Sequence, residues 1–133
     1  MTHTINTNNL KALIPYCPNR IKNFVRLAAR VHGKLALREQ LNYETENHDF
    51  SSIKMVNLDR AELKREIIHE ATLCASALRA LNHIAESHNL PLPSKNLEEI
   101  NLTEFLNLID TYVTELVAAS DYAKWSEAYE LVG

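Results

Sequence analysis

Six cations, Arg20, Lys22, Arg26, Arg30, Lys34 and Arg38, recur along one stretch of this chain, and no Asp or Glu precedes Glu39. Guanidinium and ammonium groups in series neutralise successive anions. These can be the phosphates of a nucleic acid or the carboxylates of an acidic protein surface. From Lys22 to Arg38 the cations stand four positions apart, which on a helix stacks them along one side. All six are therefore candidate partner-binding residues. Leu27, Leu37 and Leu41 fall on the same side and are expected to add apolar contact.

Other residues have the types, but less of the spacing, that chemistry needs. Glu66 and His69 make one Glu-x-x-His unit. A di-iron carboxylate bundle needs two such units and two further carboxylates, and the sequence holds no second unit. No metal and no cofactor are expected. Glu70 lies among Leu63, Ile67 and Cys74 on the apolar side of its helix, so it should have a cationic partner, with Arg38 or His32 as candidates. His83 and His88 fall near a helix end, where a cation meets the helix dipole favourably. Arg26-Leu-Ala-Ala-Arg-Val-His32 resembles, in its Arg-x5-His spacing, the motif of the HEPN family of helical ribonucleases. The resemblance covers that short run alone. It implies an alternative reading in which Arg26 and His32 cleave RNA.

Composition sets the frame around these residues. The chain has 133 residues, 46% hydrophobic and 23% charged, which suits one domain with its own core. Two glycines and four prolines are too few for the many tight turns of an all-β fold. Cys17 and Cys74 stand far apart, without a metal or redox spacing. No leader and no apolar run of membrane-spanning length is visible, so a cytoplasmic protein is expected. The net charge of −3 is unevenly placed: residues 1–38 hold seven Lys or Arg and no acid, and residues 39–133 hold seven and seventeen. Glu98, Glu99, Glu104, Asp110 and Glu115 are therefore the expected internal rivals for the cations.

The elements that must position these groups read as helices. Asn8 or Asn9 is expected to cap a short helix over about 8–14. Pro15 ends it, and Pro18 suits the first turn of the next. From there to about Asn42, Ile21, Phe24, Val25, Ala28, Val31 and Leu35 share an arc of roughly 120°. Gly33 interrupts the opposite face and predicts a kink or a close approach by a partner. Residues 43–57 read as a loop with an extended piece at Ile53–Val56. Asp59 and Glu62 then form a capping-box pattern opening a helix over 59–88, with Leu63, Ile67, Cys74, Ala77, Leu78, Leu81 and Ala85 as its stripe. Asn101 and Glu104 repeat that pattern ahead of a helix over 102–119, and a short helix is expected over 121–131 with Tyr122, Trp125 and Tyr129.

The sequence thus predicts an all-α, single-domain, antiparallel bundle of four to five helices. Its expected role is a non-enzymatic binding or regulatory one. The basic face of helix 18–42 would engage an acidic protein or a nucleic acid. Besides the ribonuclease reading, a second alternative is a structural subunit of a homo-oligomer, with the basic helix docked on acidic helices of another copy.

Overall fold

The computed structural model describes residues 4–47 and 50–118, the side chains of 41–59 excepted. Within it α1 spans Thr7–Ala12, α2 Pro18–Asn47, α3 Phe50–Ser87 and α4 Leu102–Ala118, with a 3-10 turn at Leu97–Glu99. The described residues are mostly helical and contain no strand. The four helices pack against one another, α2 against both α3 and α4. None of them is long and apolar enough to cross a membrane.

The start of α1 differs from expectation: Asn6, not Asn8 or Asn9, is the cap, its Oδ1 accepting from the Asn9 backbone N–H at 3.0 Å. Pro18 opens α2, where a missing N–H leaves no bond unmade. The largest difference lies at the middle of the chain. α2 continues to Asn47 and α3 begins at Phe50, so residues 43–47 and 50–57 of the expected loop are helical and Ile53–Val56 is not extended. Asp59 and Glu62 lie inside α3 rather than at its start. The physical reason is that no Gly or Pro occurs between Gly33 and Pro91. Polar residues alone lower helix propensity by only a few tenths of a kcal/mol each, so helix extends from both sides into the stretch expected to be a loop. The short helix expected over 121–131 lies outside the described residues.

The other ends follow recognisable chemistry. α3 closes with Asn89 in the left-handed region at φ 56°. Leu90 N–H donates to the Ala85 carbonyl at 2.8 Å and Asn89 N–H to that of Glu86 at 3.1 Å. This is a Schellman ending, with asparagine in the place glycine usually takes. At α4 the capping box forms as the sequence predicts. Glu104 N–H donates to Asn101 Oδ1 at 2.9 Å, and Asn101 N–H donates back to Glu104 Oε1 at 3.4 Å.

The core draws on every helix. The stripe of α2 from Ile21 to Leu35 is buried as expected, as are Leu63, Ile67, Cys74, Leu78, Leu81 and Ala85 of α3. On α4, Phe105, Ile109, Tyr112, Val113 and Leu116 are buried, joined by Leu108, while Leu102 and Val117 are exposed. Phe24 and Tyr112 meet with ring centroids 5.8 Å apart, tying α2 to α4. Leu10 and Leu13 are fully buried beside them.

A polar anchor holds the N-terminal segment and the α3–α4 connection together. Asn82 Nδ2 donates to the Ser94 carbonyl at 2.7 Å while Ser94 N–H donates to Asn82 Oδ1 at 3.1 Å. The Ser94 hydroxyl donates to the Thr4 carbonyl at 3.2 Å. Asn6 N–H reaches the Pro93 carbonyl at 2.8 Å, and Asn9 Nδ2 that of Leu92 at 3.0 Å. Ser94 is buried, so these bonds satisfy groups that water does not reach.

Candidate functional site

The cations of α2 do not form one uniform face. Arg30 and Lys34 turn toward α3. Lys34 Nζ lies 3.4 Å from Glu66 Oε2 and 3.7 Å from Glu70 Oε1, and Arg30 Nη1 lies 3.9 Å from Glu70 Oε1. Arg20, Lys22 and Arg26 are exposed. Among the described residues no carboxylate lies within ion-pair distance of them. Arg26 Nη2 donates to Asn23 Oδ1 at 3.0 Å, one turn earlier on the same helix. Arg38 is also exposed. Among the described residues, the stretch read as a single basic row is thus divided: Arg30 and Lys34 have carboxylates beside them, and Arg20, Lys22 and Arg26 have none.

Glu70 has cationic partners, but they are Arg30 and Lys34 rather than Arg38 or His32. Its side chain is 12% exposed, and Oε2 is buried without a hydrogen-bond partner. The carboxylate is therefore held from one side only. Its charge reaches Cys74, one turn on. Burial, with Glu70 adding to it, pushes the Cys74 thiol up to about 12. Cys17 is half-buried, its thiol donating to the Leu13 carbonyl at 3.5 Å. Burial raises its pKa too, and the Arg20 guanidinium partly offsets that. Both cysteines are thiols, and neither is activated as a nucleophile.

His32 leaves the basic face altogether. Its Nδ1 lies 2.7 Å from Asp110 Oδ1 on α4. Arg26 and His32 are six positions apart, about 120° round the helix, and their side chains go to different partners. His69 is exposed on α3, and among the described residues no three His, Cys, Asp or Glu side chains gather as metal ligands would. His88 packs its ring against Tyr16, centroids 4.3 Å apart. Of the acids expected to compete for the cations, Asp110 takes His32 and Glu98 takes Arg79 at 3.6 Å. The acids that reach α2's cations, Glu66 and Glu70, come instead from α3.

The leucines on the basic side also divide. Leu27 is buried, at 7% exposure, and belongs to the core, whereas Leu37 is 44% exposed. The Leu41 side chain lies outside the described residues. Gly33 is exposed, with nothing beyond the neighbouring backbone of its own helix within 4 Å of where a Cβ would stand, and helix α2 runs through it.

Beside the segment of Arg20, Lys22 and Arg26, α2 and α3 enclose a cleft of about 290 Å3 lined by Asn19, Arg20, Asn23, Ala77 and Ala80. A second, of about 170 Å3, lies between α3 and the start of α4, with Ala71, Ala75, Leu97, Ile100 and Phe105 in its lining and Arg79 beside them. Comparison of the chain with protein-family models, with curated proteins and with solved structures finds no match. The geometry is therefore the basis for any functional reading.

Sequence reasoning missed the cleft, because its two walls lie more than fifty positions apart in the chain. The signal available was weak. Ala77 sits in the α3 stripe, and an Ala three positions on widens that stripe by a residue too small to demand burial.

Proposed function

We propose that this chain is a small non-enzymatic helical binding module. Its working surface is the N-terminal half of α2, where Arg20, Lys22 and Arg26 engage an acidic protein or a nucleic acid. The observation that carries this reading is the contrast along one helix. Arg30 and Lys34 have carboxylates from α3 beside them, and the three cations before them have none among the described residues. Unpaired, solvated cations grouped on a rigid helix raise the local concentration of an anionic partner and set its orientation. The net charge of −3 argues against indiscriminate polyanion binding and for a localised contact.

The architecture that presents this surface is one antiparallel bundle in one domain. Supporting it, Arg20 and Asn23 face Ala77 and Ala80, while Lys34 faces Glu66 and Glu70, so rising numbers on α2 meet falling numbers on α3. A cytoplasmic setting suits two cysteines kept as thiols.

The test is a triple charge reversal, Arg20→Glu, Lys22→Glu and Arg26→Glu, read against binding to an acidic protein bait and to a single-stranded oligonucleotide over a salt series. Loss of binding with an unchanged melting temperature supports the module. Unchanged binding to both baits sinks it. A salt-sensitive homo-oligomer seen by light scattering, lost in the same variant, would transfer the surface to the structural-subunit reading.

A further inference from the structure

We infer that the cleft between α2 and α3 receives an acidic amphipathic helix of a partner protein. This names the partner class for the binding module and rests on that reading. The walls of the cleft are chemically unlike. On α2 stand Asn19, Arg20 and Asn23, with Arg26 held against Asn23 one turn further. On α3 stand Ala77 and Ala80, both half-buried. Leu73, one turn before Ala77, is 44% exposed and continues the apolar strip along α3.

Each wall asks for a different property of the occupant. Alanines let a third helix approach to the close end of helix-packing distances, about 8 Å between axes. A strip of Leu73, Ala77 and Ala80 accepts apolar side chains at helical spacing. The α2 wall accepts carboxylates, charge-assisted by Arg20 and, through its contact with Asn23, by Arg26. A helix with an apolar stripe flanked by acids satisfies both walls at once. Beyond the cleft, about two turns further along α2, Glu66 and Glu70 stand against Lys34 and Arg30, which limits the contact to the segment around Arg20–Arg26.

A nucleic acid fits this cleft less well. Its charges repeat along the whole strand and would run onto Glu66 and Glu70. No aromatic side chain lines the cleft to stack on a base, and stacking supplies much of single-strand affinity.

The experiment measures fluorescence anisotropy of a labelled synthetic peptide against the full 133-residue chain. The peptide is about 18 residues, five turns, with leucines three and four apart and glutamates along one flank. The expected result is binding that weakens at least about tenfold in Arg20→Glu/Arg26→Glu and equally in Ala77→Glu/Ala80→Glu, with no change in Lys34→Gln, whose ammonium lies against both Glu66 and Glu70 outside the cleft. The same peptide with every glutamate changed to lysine needs no variant and should not bind.

Equal binding of the lysine peptide, or no binding of the acidic one, overturns the inference. If Arg20→Glu/Arg26→Glu abolishes binding of both peptide and oligonucleotide while Ala77→Glu/Ala80→Glu abolishes neither, the module stands and the helical partner falls. If Arg20→Glu/Arg26→Glu changes neither, both readings fall together.

Discussion

His32 of α2 and Asp110 of α4 meet across 78 positions of sequence, Nδ1 to Oδ1 at 2.7 Å. The contact ties α2 to α4, as the packing of Phe24 on Tyr112 does at a level about two turns away. The His32 and Asp110 side chains keep part of their surface in water, which limits the gain. A double-mutant cycle of His32→Ala and Asp110→Ala should give a coupling of about 1 kcal/mol in urea unfolding. Additive effects of the two substitutions would show that the contact carries no stability of its own.

Glu70 makes a sharper case, because its carboxylate is nearly buried and balanced from one side. Removing both cations, as Arg30→Met with Lys34→Met, leaves that charge uncompensated and should cost about 2 kcal/mol. Adding Glu70→Met to the pair should restore most of the loss, since an apolar trio of similar volume needs no desolvation of charge. Thermal melts of the double and triple variants check this. A triple variant no more stable than the double would mean that the cost came from packing, not charge.

Cys74 links reactivity and stability to pH. The native thiol, pushed up to about 12, keeps its proton at pH values where an unfolded cysteine, near 9.0, releases it. Above pH 9 the unfolded state therefore binds fewer protons, and stability falls as pH rises, by up to about 1.4 kcal/mol per pH unit from this group. Below pH 9 its contribution is constant. Cys74→Ala should flatten the fall between pH 9 and pH 11 in equilibrium unfolding, whatever its cost at neutral pH. With a thiol reagent at pH 8, the native chain should react slowly at Cys17 and more slowly still at Cys74, and both should react faster in denaturant.

Asn82 holds the Ser94 backbone by two hydrogen bonds. Asn82→Ala leaves a buried N–H and carbonyl without partners and should cost about 2 kcal/mol. Because α1 is bonded to the Pro93 and Leu92 carbonyls of the same connection, hydrogen exchange of α1 amides should accelerate in this variant. Exchange in α1 unchanged from the parent protein would show that the segment is held by Leu10 and Leu13 alone.

Gly33 lies in mid-helix with open space around its Cα. Gly33→Ala should stabilise the chain by about 0.5–1 kcal/mol, measured by the midpoint of urea unfolding. A destabilised variant would mean that α2 needs local freedom there, as the kink expected from sequence implies.

What the sequence alone determined is whatever depends on neighbours a few positions away. Scarce Gly and Pro with apolar residues three and four apart dictate helices. The same spacing selects Ile21 to Leu35 and Leu63 to Ala85 as buried stripes, and Asn101 with Glu104 closes its capping box, because all of these are set within one or two helical turns. The ends of α2 and α3 were not legible because a polar stretch resembles a loop, although polar residues lower helix propensity only slightly. Tertiary structure decided the rest. Arg26 and Arg30 are alike in type and close on the wheel, yet one meets Asn23 of its own helix and the other Glu70, because α3 supplies a carboxylate at the level of Arg30. Leu27 and Leu37 look equivalent in sequence, and packing buries the first and leaves the second in water. Pairing and burial depend on which faces of distant segments come together, and helical periodicity fixes only the faces, not their partners.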